Sequence, residues 1–261
     1  MKLAQKPVRY KMGVSPNAVC AAIDELSGCC AGFSWATKLP REVRLEDGWS
    51  QCPRGDWLLW LLEGLNSRCV LDNRWVVLAN CAVARLGLPS THKVDPAYLD
   101  IYAKCLCTLE LAEECVYEHA EALSYRRARG SGPYRTGPLQ MFGNVDAVRF
   151  SAERLWVEHV GMSDPYRSPY MDLVCSVIGA ANHVPGVRVN DGGNKAFVYG
   201  LAHNAARRNA TAWTKILPWF GGDYVEHKFQ KDSANAVRAA VPWSVIEKAY
   251  GAHLAGMEKQ G

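Results

Sequence analysis

The chain has 261 residues, 49% apolar and 21% charged, with a net charge of +4 and an isoelectric point near 8.5. That balance fits a globular chain with a sizeable core and excludes a disordered one. No run approaches the roughly eighteen apolar residues of a spanning helix, and the small, scattered positive charge does not by itself imply nucleic acid. The N-terminal MKLAQKPVRYKMGVSP carries the charges of a secretory leader without its apolar core, so a cytoplasmic protein with no membrane partner is expected.

Helix signals dominate from the start. Ser15-Pro16 precedes NAVCAAIDELSGCC, with Ser15 placed as N-cap, Pro16 in the first turn, and Val19, Ala22, Ile23 and Leu26 as an apolar stripe. The mixed stretch AGFSWATKLPREVRLEDGWSQ reads as a loop. SQCPRGDWLLWLLEGL then opens a helix at Cys52-Pro53 that runs to about Asn66. Trp57 to Leu62 are all apolar, so this is expected to be the central core helix, buried all round.

Asp72-Asn73 leads into RWVVLANCAVARLGLP. There Trp75, Leu78, Ala79, Ala82 and Leu86 repeat at helical spacing, and Gly87 and Pro89 mark a stop. Asp95-Pro96 opens the longest pattern, ending near Arg129, as one long helix or two joined by a kink. Between Gly130 and Pro138 stand three glycines and two prolines, the clearest break in the sequence.

NVDAVRFSAERLWVEHVG resumes the helical pattern. YMDLVCSVIGAANHV follows the turn SDPYRSP and ends at Pro185-Gly186. Asn194 is placed to cap KAFVYGLAHNAARRNATAW, a further segment runs from about Trp219 to Ala240, and Pro242 opens a terminal helix. No strand alternation exceeds VRV at 187–189. The expected fold is all-α: an irregular multi-helix bundle of about eight to ten helices with antiparallel neighbours. It is read as a single domain, 1–261, with a candidate subdivision at 130–138.

Ten cysteines, most inside apolar helical patterns and none in a Cys-x-x-Cys, read as buried reduced thiols. Three of the seven histidines follow a glutamate, at Glu118-His119, Glu158-His159 and Glu226-His227. Adjacent helical residues point about 100° apart, so one such pair does not converge on a metal. Cys115 and His119 have the spacing of two zinc ligands, but nothing in the sequence completes the set. No metal or other cofactor is expected.

Cys52, at a helix start beside Arg54 and near Asp56, is the one candidate nucleophile, because helix amides and a guanidinium lower a thiol's pKa. Gly192-Gly193-Asn194-Lys195 lacks the rest of a phosphate loop. The strongest binding candidates are Arg126, Arg127 and Arg129, which run into the Gly/Pro stretch with Tyr134 and Arg135, together with Arg207 and Arg208. Arginines around an aromatic can meet phosphates and bases or an acidic protein surface. Trp49, Trp213 and Trp219 lie beside turns and are read as partly exposed anchors.

Two segments carry a resemblance. CPRGDWLLWLLEGL resembles a motif of helical proteins encoded by phages and bacteria. VCSVIGAANHVPG, with its His-x-Pro-Gly turn at His183, and FVYGLAHNAARR are similar to the helical core of Imm-5-like immunity proteins. The resemblance implies an all-α fold that binds and neutralises a partner protein and brings no catalytic residues.

The expected function is therefore a non-enzymatic helical interaction protein that binds and inhibits a macromolecular partner, as immunity or phage counter-defence proteins do. Nucleic-acid binding through the basic residues is the first alternative. The second is a helical enzyme around Cys52 and Asp56 or the Glu-His pairs.

Overall fold

The computed structural model describes residues 17–26, 30–88, 99–128, 138–160, 169–184, 187 and 222–258. Among them are ten α-helices, one π-helical turn and no strand, so the fold is all-α as expected. The chain forms two compact units, Met1–Gln51 and Cys52–Gly261. The sequence placed its candidate subdivision at 130–138, but the helices on both sides of that stretch belong to the second unit.

The first unit holds α1 (Ala18–Glu25), α2 (Cys30–Ala36) and α3 (Leu45–Gln51). The stretch read as one loop thus contains two short helices. Ser15 and Pro16 lie outside the described residues, and the cap of α1 is Asn17. Its Oδ1 accepts from the Cys20 amide at 2.9 Å, while its Nδ2 donates to the Ala36 and Leu39 carbonyls at 2.8 and 3.4 Å. One buried side chain therefore satisfies an orphan donor of α1 and ties it to the chain at and just after the end of α2.

At α3, Asp47 reaches back to accept from the Arg44 amide at 3.4 Å and from its guanidinium at 3.1 Å. This is the returning half of a capping box. Val19, Cys20, Ala36 and Val43 form the core of the unit. A Cβ on Gly48 would lie 2.4 Å from Val19 Cγ2, so the backbone of α3 rests directly on α1.

The second unit holds α4 (Gly55–Ser67), α5 (Asn73–Gly87), α6 (Leu99–Ala128), α7 (Pro138–Leu155) continued by the π turn Trp156–Val160, and α8 (Pro169–Asn182). It closes with α9 (Gly222–Ala240) and α10 (Trp243–Glu258). The long pattern after Asp95 is one unbroken helix of 30 residues, about 45 Å at 1.5 Å per residue. Its neighbour α7 runs antiparallel: Lys104 meets Glu158 and Thr108 meets Ser151, so numbers rise on one helix as they fall on the other.

Two expectations about the core are corrected. The centre is α5, not α4: α5 packs against α4, α6, α8 and α9. Narrow side chains permit this, with Val76, Val77, Ala79, Cys81, Val83, Ala84 and Gly87 buried while Leu86 of the expected stripe is exposed. In α4, Leu58, Leu59, Leu62 and Leu65 are buried, but Trp57, Trp60 and Leu61 are only half-buried. The helix buried all round is α8, where the nine residues from Leu173 to Ala181 are all inside.

The ends of α4 show how local chemistry sets the frame. It begins at Gly55, so Cys52-Pro53-Arg54 is linker rather than first turn. Arg54 stands at the N-cap without a capping side chain. Gln230 of α9 accepts from the Asp56 amide instead, at 3.3 Å. At the other end the amides of Cys69 and Val70 donate to Asn66 and Leu65 at 2.8 and 3.3 Å, which is a Schellman closure. It places Cys69 at φ 58°, a left-handed conformation that glycine adopts freely and cysteine does not. Asp72 caps α5, accepting from the Arg74 amide at 3.0 Å.

Candidate interaction face

The α7 helix and the π turn that continues it carry a buried apolar stripe on one side and two exposed apolar residues on the other. Val148, Ala152 and Leu155, spaced by four and three, are fully buried and join the core with α5, α6 and α8. That stripe satisfies the folding requirement of an amphipathic helix. The opposite side carries Phe150 of α7 and Val157 of the π turn, with the charged Arg154 between them. Phe150 is 61% exposed and Val157 59%. Tyr117 and Tyr224 are comparably exposed, but a phenol keeps its hydroxyl in water, whereas phenyl and isopropyl groups have no polar part.

This outer face is held by charges around it. Arg149 lies over the Phe150 ring at 5.2 Å from its centroid and pairs with Asp146 at 2.8 Å. Glu158, in the π turn, accepts from Arg154 Nε at 2.6 Å and from Lys104 Nζ of α6 at 2.5 Å, and Lys104 also meets Asp100 at 2.5 Å. Hydrogen bonds from Arg154 and Lys104 hold the Glu158 carboxyl down at about 2.

One step deeper, the Thr108 hydroxyl donates to the Lys104 carbonyl at 2.8 Å. Its oxygen is then the acceptor for Ser151, 2.7 Å away. Arg85 of α5 makes a two-pronged pair with Glu113 of α6 at 3.1 and 2.7 Å, fixing the other flank of α6. The face is thus mounted on a seam stitched by packing and by polar contacts.

The basic candidates are not placed. Arg126 and Arg127 fall in the last turn of α6, but their side chains lie outside the described residues, as do Arg129, Tyr134, Arg135, Arg207 and Arg208. Trp213 and Trp219 also lie outside them. Trp49, read as partly exposed, is buried.

The reactive-thiol reading of Cys52 is overturned by burial. The side chain is enclosed, and loss of water pushes the thiol up to about 12, outweighing the pull of the Arg54 backbone contact and of Arg238. Arg54, expected to activate the thiol, instead grips Asp56 through two bonds of 3.0 and 2.8 Å and lies 5.3 Å from the Trp57 ring centroid. Arg238 donates to the Cys52 carbonyl at 2.9 Å. The cluster anchors the linker to α9 and leaves no accessible nucleophile.

Among the Glu-His pairs only Glu226-His227 has both side chains among the described residues, and there the two separate as the helical geometry requires. Glu226 turns to Arg54 at 3.5 Å while His227 faces water, and Glu158 is held by Arg154 and Lys104. The side chains of Glu118, His119 and His159 lie outside the described residues, so the Cys115/His119 pair is not placed. Among the described residues no group of three or more His, Cys, Asp and Glu is arranged to hold a metal.

A carboxylate–imidazole contact does form, between residues 120 positions apart: His183 Nε2 lies 3.4 Å from Glu63 Oε1, both largely buried. The His183 carbonyl accepts from Asn73, whose Oδ1 accepts from Asn66 at 2.9 Å. This polar knot ties the ends of α4, α5 and α8 together.

Comparison with protein-family models, with curated proteins and with solved structures finds no match to this chain. Among the described residues, no helix is long and apolar enough to cross a membrane.

Proposed function

We propose that this is a non-enzymatic binding protein of the cytoplasm that grips and inhibits a macromolecular partner through the outer face of α7, in the manner of immunity or phage counter-defence proteins. One observation carries the reading: α7 already buries one apolar stripe, and on its other side Phe150, with Val157 of the π turn, stands in water. A lone exposed apolar residue needs no explanation, but an exposed pair with arginines beside it has the composition of a contact centre. The partner inferred is a protein with an apolar surface to cover Phe150 and Val157.

The test compares the wild type with a Phe150→Ser/Val157→Ser variant as bait against lysate of the cells that express the protein. Stoichiometric recovery of one protein by the wild type, falling at least tenfold with the variant, is expected. The variant should keep its folding stability to within about 0.5 kcal/mol, as surface changes do. Equal recovery by both baits overturns the assignment of this face. Recovery of nucleic acid that is lost steeply with salt would point instead to the basic residues Arg126, Arg127, Arg129, Arg135, Arg207 and Arg208.

A further inference from the structure

We draw no further inference here: the strongest candidate, the outer half of α10 where Leu254 and Met257 stand exposed beside Gly251 and Gly256 open to solvent, is an apolar helix end, and nothing in the structure shows what covers it.

Discussion

The helices α7 and α8 line the same core and treat their apolar residues differently. In α8 the nine residues from Leu173 to Ala181 are all enclosed, Ser176 among them, because α5, α6 and α7 close around it. In α7 the Val148, Ala152 and Leu155 stripe is enclosed, with Val145 and Trp156 packed against the same core, while Phe150, and Val157 of the following π turn, face water. From Leu173 to Ala181 the apolar character of α8 is fully explained by folding. Along α7 and the π turn, Phe150 and Val157 are the exceptions among the described residues, and that surplus is where a function should be sought.

The sharpest way to break the comparison is to shorten one side chain in each helix. Ile178→Ala in α8 should lose about 2–5 kcal/mol, since it removes a fully buried side chain and leaves a cavity. Phe150→Ala in α7 should lose about 0.5 kcal/mol or less. Denaturant unfolding of both variants measures the gap, and similar losses would show that Phe150 serves the fold after all.

A second variant asks whether the partly open α4 still has an immovable contact. A Cβ on Gly55 would lie 2.3 Å from Ser233 Cβ and under 3.0 Å from the α9 backbone. Gly55→Ala should therefore cost about 1–3 kcal/mol by overpacking, although alanine is the better helix former by about 1 kcal/mol. Thermal unfolding would show it, and an unchanged or raised Tm would mean that the seam yields.

Cys69→Gly should act in the opposite direction and raise stability by about 1 kcal/mol, because glycine accepts the left-handed backbone at the Schellman closure. A lower Tm would mean that the Cys69 side chain makes up for its backbone.

The smallest effect belongs to the rim of the α7 face. The Glu158 carboxyl is held at about 2 against an ordinary 4.5, so its contribution is complete above 4.5 and is lost as pH falls through about 2. Glu158→Gln should lower Tm slightly at neutral pH, as exposed pairs do, and the difference from wild type should shrink between pH 4.5 and 2. A difference that grows on acidification would contradict the pairing with Arg154 and Lys104.

Much of the frame was legible in the sequence. The helical period pointed to the fold class, and the pattern after Asp95, read as one long helix or two joined by a kink, is the single α6. The misplaced features depended on neighbours. WLLWLL in α4 predicts burial on every side, but Trp57, Trp60 and Leu61 are left half-exposed because α5, α9 and α10 do not surround it. The plainer LVCSVIGAA in α8 is enclosed because three helices converge on it. Asn17 was missed as a cap because its second partner, the end of α2, lay in a stretch read as loop.

For the site, the sequence pointed to arginines outside the described residues and to Cys52, whose burial no local pattern reveals. The segment VDAVRFSAERLWV holds the α7 face: Val148, Ala152 and Leu155 fill one stripe, Val145 and Trp156 pack beside it, and Phe150 and Val157 are left exposed. The Glu63–His183 contact joins residues 120 positions apart and has no local signature.

The central claim is that the outer face of α7 is the surface a partner covers. Hydrogen–deuterium exchange, comparing the free protein with its complex with the captured partner, tests it most directly. Slowed exchange concentrated on residues 145–158 is expected, with the enclosed α8 slow in both states and unchanged. Protection confined to other helices, with 145–158 exchanging as in the free protein, would contradict it.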